Sequence, residues 1–198
     1  MNTFTCNGKR LGGMRWMARV ITWSMCLGLW CQVCEVGLAG AALPDYQVKA
    51  LFLLNFTKYV EWPGNAFTGS DTPITIGLYG ESKLGEALKS VVAGKTIGGR
   101  AIVIRQVESP DDLSQCHILF ISNTETSRFR QIIDKISALP ILTVGEDAAF
   151  VQNGGIINFV LKNGNVRLEI NLSAAKKAGL TISSRLLAVA DVVKGKAD

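Results

Sequence analysis

A single histidine, His117, serves the whole chain of 198 residues. That shortage excludes a multi-histidine metal centre, and it excludes a Ser-His-Asp triad built around any second histidine. Cysteine is scarce where it would matter. Cys6, Cys26, Cys31 and Cys34 all precede position 42 and Cys116 stands alone after it, so a domain beginning there has no internal disulfide. At the head of the apolar run His117 to Ile121 this thiol is expected to be buried. Aromatics make up only 8% of the residues and no basic stripe interleaves with them, which leaves nothing to build a nucleic-acid surface.

Phosphate-loop signatures are missing as well. Gly94-Lys95-Thr96 echoes one, but the loop needs a further glycine five residues before Gly94, where Lys89 stands. Ile97, Gly98 and Gly99 read instead as a turn between a helix and a strand. Gly77-Leu78-Tyr79-Gly80 does not supply the dinucleotide fingerprint. Cys116 and His117 are neighbours at a strand entrance, so their side chains leave on opposite faces and form no nucleophile–base pair. The adjacent acid pairs Asp111-Asp112 and Glu146-Asp147 sit near helix starts, where carboxylates meet the helix dipole. No catalytic residue, metal site or cofactor is expected, and the chain is read as a non-enzyme.

What is present begins with a leader. Lys9, Arg10, Arg15 and Arg19 precede an apolar centre from Val20 to Cys34, and Leu38-Ala39-Gly40-Ala41-Ala42 offers small residues for cleavage. Residues 1–41 are therefore expected to be a signal peptide and residues 42–198 a single periplasmic domain. Gln32 and Glu35 cut the apolar centre short of a membrane span; the alternative is an inner-membrane anchor facing the periplasm. Met14 or Met17 would serve as the start of a more ordinary signal, and Trp30 before Cys31 argues against lipidation. Without Lys9, Arg10, Arg15, Arg19 and Glu35 the 21 basic and 16 acidic residues fall to 17 and 15, and the formal charge from +5 to +2.

Beyond the leader, helix and strand signals alternate. Asp45 to Pro63 has its apolar residues at helical spacing, with Asp45 a capping candidate and Pro63 the stop. Only Gln47, Lys49, Asn55 and Lys58 are left for water, which predicts a mostly buried helix. Strands are expected at 74–79, 101–107, 118–122 and 141–144, and helices at 84–92 and 128–137. These are βαβ units. Residues 155–161 and 166–172 flank Asn163-Gly164, the strongest short hairpin signal, which would pair Asn158 with Glu169 and Val160 with Arg167. A short helix at 173–177 and a longer one at 183–193 would close the domain. The fold class is α/β, a three-layer sandwich with a mostly parallel central sheet, an antiparallel C-terminal hairpin and helices on both faces.

Candidate partner- or ligand-binding residues are Glu61, Trp62, Glu169, Asn171, Ser183 and Arg185. Trp62 joins a large apolar body to an indole donor, the chemistry of an anchor. Glu61 beside it could approach Glu169, Thr181 and Ser183. Arg185 could pair with Glu169 as a lock. The face carrying Asn158, Arg167, Glu169 and Asn171 is either a solvated surface or a recognition surface.

The run Tyr59-Val60-Glu61-Trp62-Pro63, with Ser184-Arg185-Leu186-Leu187 near the C-terminus, resembles the YfiR family of small periplasmic proteins across Asp45 to Val193. The resemblance implies a regulator that binds and restrains the periplasmic sensor domain of an inner-membrane diguanylate cyclase. It would thereby lower cyclic-di-GMP and influence biofilm formation. It also implies a small pocket near the helix end, here acidic and hydroxylic. Family members with disulfides differ from this chain, whose domain keeps Cys116 alone. The alternative is a periplasmic small-molecule receptor feeding a membrane protein, and a homodimer stays open.

Overall fold

The computed structural model of the chain describes residues 44–109 and 111–193; the leader expected at 1–41 lies outside them. Helix α1 spans Asp45–Tyr59 and runs into the two-residue strand β1, Val60–Glu61. The main sheet follows: β2 (Ile74–Tyr79), α2 (Leu84–Val92), β3 (Thr96–Ile97), β4 (Arg100–Val107), β5 (Ile118–Ile121), α3 (Thr126–Ile136), β6 (Leu142–Gly145), β7 (Ile157–Lys162) and β8 (Asn165–Ile170). Helix α4 (Leu172–Lys177), β9 (Thr181–Ile182), α5 (Ser184–Leu187) and β10 (Ala190–Val192) complete it. The strand order is β10-β8-β7-β6-β5-β2-β4-β3, while β1 and β9 form a separate antiparallel ribbon. Pairing is parallel except for β7 with β8 and β3 with β4. The chain is an α/β protein of the expected class.

Alternation along the central strands divides the core in two. Ile76, Leu78, Ile118, Phe120, Leu142 and Val144 face α1 and α2. Leu119, Ile121 and Ile141, from the opposite face, join Phe129, Ile132, Ile133 and Ile136 of α3. Such residues are one strand position out of step with the first set, so a continuous apolar run is what a sheet covered on both faces requires. Gly77 is needed on the α3 side, because a Cβ there would lie 2.5 Å from Cys116 Sγ. That thiol is buried, and burial raises its pKa to about 11, which leaves it protonated and inert at neutral pH.

The hairpin forms as its turn residues dictate. Asn163 (φ 53°) and Gly164 (φ 73°) adopt the left-handed pair that a two-residue turn demands, and the register sets Asn158 against Glu169 and Val160 against Arg167. A second two-residue hairpin at Gly98-Gly99 joins β3 to β4 where only a turn is expected from the sequence.

Three expectations are corrected. Asp45 does not cap α1: the carbonyl of Pro44 receives the amides of Gln47 and Val48, and no side-chain cap bond forms. Burial of α1 is less complete than its composition implies, since Tyr46 and Leu51 are exposed while Lys49 is drawn into an ion pair with Glu146 at 2.6 Å. The closing helix expected over 183–193 stops at Leu187. Ala190–Val192 instead lies parallel to β8, with Val193 N–H donating to the Ile170 carbonyl at 2.8 Å. The open edge of β8 supplies a ladder that the β-branched Val189, Val192 and Val193 fill more readily than they extend a helix.

Phe56 is fully buried between the rings of Phe52 and Phe159, each about 6 Å away between centroids. Phe56→Ala should cost about 3–5 kcal/mol of unfolding free energy, read from urea denaturation.

Candidate functional site

Where α1 ends, the chain builds a compact aromatic cluster. Val60 and Glu61 pair with Ile182 and Thr181, and Ser183 N–H donates to the Tyr59 carbonyl at 2.9 Å. Glu61, Thr181 and Ser183 therefore do meet around the helix end. Trp62 is half-buried there, and its indole N–H donates to the His117 carbonyl at 3.2 Å. Phe67 stands edge-on to Trp62 (6.4 Å) and stacks on the His117 ring (4.5 Å, 13°), while the Arg100 guanidinium carbon lies over the Phe67 ring, 4.2 Å from its centre. Arg100 also donates to the carbonyls of Gly69 and Thr72 at 2.8 Å each. The segment after Trp62 is thus tied to the starts of β2, β4 and β5.

His117 is the pin of this cluster. Its Nδ1 accepts the Thr75 amide at 3.1 Å, so Nε2 carries the proton and donates to the Ala66 carbonyl at 3.1 Å. Burial, with the Arg100 charge adding to it, holds the imidazole pKa below its ordinary 6.5, against the opposing pull of the Ala66 carbonyl.

Glu169 is not part of this group. It sits in β8 with Asn158 on one side and Asp191 on the other. Lys162 lies 4.0 Å from Glu169 and 2.6 Å from Asp191, bridging two like charges. That bridge takes the role expected of Arg185, which is exposed and makes no ion pair with Glu169 among the described residues. The reason is topological: β10 brings Asp191 alongside Glu169 and within reach of Lys162 at the end of β7, a placement that a helix over 183–193 would not give. The Asp191 hydrogen bond raises the Lys162 pKa, and Lys162 in turn lowers that of Asp191.

Asn171 caps α4, with Oδ1 accepting the Ala174 amide at 3.0 Å and Nδ2 donating to the Val151 carbonyl at 2.9 Å. Among the described residues, both side-chain polar atoms of Asn158, which is 1% exposed, and Ser183 Oγ are buried with no hydrogen-bond partner at all. The acid pairs are occupied locally, Asp111 by Lys135 (2.6 Å) and Asp147 by Thr126 (3.1 Å). Among the described residues no group of three or more His, Cys, Asp or Glu is placed to hold a metal.

Glu61 lies in the β1–β9 ribbon and Glu169 in β8 of the main sheet, in separate sheets. A cleft lies between α3 and α4, and only Asn171 of the six candidate residues lines it. Its walls come from positions 130 to 178, so no local motif announces it.

Residues 46–191 match the family model DUF4154, YfiR/HmsC-like. The chain belongs to the YfiR/HmsC-like family. No curated protein matches it in a sequence comparison. Among solved structures, a conserved domain protein from Vibrio cholerae O1 biovar El Tor is similar at 16% identity and TM-score 0.52. The ABC domain from Streptococcus pneumonia in complex with L-Trp follows at 15% and 0.48. Each match covers 75% of this chain and 60% of the other. The first likeness supports the fold alone; the second is too weak to carry an argument. Membership in the YfiR/HmsC-like family supports a regulatory role.

The His117 pin gives a pH dependence with a definite sign. The unfolded imidazole takes up a proton near 6.5 and the folded one resists it, so stability is full above about pH 6.5 and falls as the pH drops below it. Urea midpoints measured from pH 7.5 to 5 should show that fall, and His117→Gln should flatten it.

Proposed function

We propose that this YfiR/HmsC-like protein is a periplasmic regulator without catalytic chemistry of its own. It binds and restrains the periplasmic sensor domain of an inner-membrane diguanylate cyclase, lowering cyclic-di-GMP and the biofilm formation that depends on it. The family match over residues 46–191 carries this reading. Export by the leader at 1–41 is part of the proposal. Among the described residues no helix is long and apolar enough to cross a membrane.

A protein partner needs a surface, and the β10 edge has the chemistry of one. Val189 and Val192 are more than half exposed, as is Leu161 at the hairpin. Ala190–Val192 is an outermost strand of the sheet, so one side of its backbone is available for pairing. Lys162 and Asp191 flank it with charge of both signs. An apolar strip on a strand edge favours a partner that adds a strand or lays an apolar face against it.

Affinity capture of the tagged protein from detergent-solubilised membranes should recover the cyclase, and a deletion strain should contain more cyclic-di-GMP. Val192→Glu should abolish capture while leaving the thermal midpoint of the purified protein nearly unchanged, because the side chain is exposed. Unchanged dinucleotide in the deletion strain together with no captured cyclase would reject the proposal. A separate fractionation should find the protein in the periplasm, shortened by the leader.

A further inference from the structure

On the α3 side of the sheet, a cleft of about 420 Å³ opens between the second half of α3, the turn at 152–156 and α4. This volume falls in the lower part of the range that small ligands occupy. Its floor is apolar: Ile133, Ile136, Ile141 and Ile156 all line it and are all buried. The walls carry Arg130 from α3 and Lys177 from α4, both exposed, and neither belongs to an ion pair among the described residues. Asp134 is the single acid in the lining.

Hydrogen-bonding capacity in the floor is lopsided in the same direction. Thr143 is 4% exposed, and its Oγ accepts the Ile156 amide at 3.0 Å. The proton of that hydroxyl has no acceptor among the described residues. Asn171 commits Oδ1 to Ala174 and one amide hydrogen to Val151, leaving its second hydrogen over. A buried donor without an acceptor is costly, so the cleft is short of acceptors.

We propose that the α3–α4 cleft binds a small organic carboxylate, its apolar body on the isoleucine floor and its anionic head met by Arg130, Lys177 and the Thr143 hydroxyl. Both parts of the ligand are specified by the lining. An inorganic anion would leave the four isoleucines without a contact, and a neutral apolar solute would leave the donors unmet. Asp134 disfavours a head of higher charge by Coulomb repulsion. Neither the β10 edge nor the Trp62 cluster contributes a residue, so this site stands independently of the cyclase reading.

The test is an NMR titration of the ¹⁵N-labelled protein with benzoate and hexanoate, alongside benzyl alcohol as the neutral counterpart and inorganic phosphate as the head alone. Both carboxylates should shift the amides of Thr143, Ile156 and Ala174 in a saturable way. Arg130→Gln combined with Lys177→Gln should weaken that binding at least about tenfold, since both charged contacts to the head are lost. Both residues are exposed, so unchanged signals elsewhere will show the variant folded. Benzyl alcohol or phosphate binding as tightly as the carboxylates would overturn the proposal, as would equal binding by the double variant. Absence of saturable shifts at those three amides would do the same, and leave water as the cleft's occupant.

Discussion

The seating of α1 on the sheet is the contact on which the remaining architecture depends. Phe56 stacks on Phe159 of β7, Phe52 stacks on Phe56 and meets Phe159 at a tilt, and Ala50, Leu53 and Leu54 complete the buried face. One face of β6, β7 and β8 is thereby removed from water at about 25 cal/mol for each Å² of apolar surface. The same helix is held at its other end by the Lys49–Glu146 pair, whose side chains are only 16% and 15% exposed. A pair so shielded resists salt better than a surface bridge, though desolvation offsets much of its attraction. Its value is directional: it fixes which end of α1 meets the β6 terminus. With both ends fixed, Tyr59 and Trp62 arrive at the starts of β5 and β9, and the β1–β9 ribbon closes the domain.

Trp62 shows how a recognition residue and a structural one can look alike in sequence. Its indole donor is committed to the His117 carbonyl and its ring to Phe67. Its role follows from what it fastens, since Phe67, His117 and Arg100 form a continuous stack that holds the Pro63 to Pro73 segment against the sheet. The lone histidine is thus accounted for by packing. Its neutral tautomer is dictated by the Thr75 amide, an interaction that an imidazolium could not accept.

Much of the fold was legible because it is encoded locally. Ile74–Tyr79 and Leu84–Val92 have the bounds their periodicity implies, and Asn163-Gly164 fixes its hairpin through two positive φ angles. What could not be read locally is what depends on a distant partner. Leu186 to Val193 has a composition compatible with a helix or a strand, and the exposed ladder of β8 decides between them. That one difference redirects the charges: Asp191 arrives beside Glu169, Lys162 bridges the two, and Arg185 is left to solvent. The α3–α4 cleft was hidden for the same reason, since Thr143, Asn171 and Lys177 come from three elements that share no motif. Asn171 was singled out for its exposed-face position in the hairpin, yet it acts as a cap turned inward.

Asn171 lies between the two surfaces proposed for binding. Val193, which follows β10, donates to the carbonyl of Ile170; the next residue, Asn171, turns the chain into α4 and lines the cleft. Edge strand and cleft thus meet at adjacent residues, without an intervening loop. Asn171 Nδ2 also donates to the Val151 carbonyl and its backbone N–H to the Ile156 carbonyl, so with the Ala174 bond the junction is held from three directions. A junction held this way transmits displacement more readily than it absorbs it, because close-packed segments shift between discrete arrangements rather than deform continuously. Val193 after β10 and Asn171 at the cleft are linked through Ile170 by one backbone hydrogen bond and one peptide bond. Asn171→Asp would keep the acceptor that caps α4 but set a buried carboxylate against the Val151 carbonyl that Nδ2 now binds, so the amide is required at this position for both of its bonds.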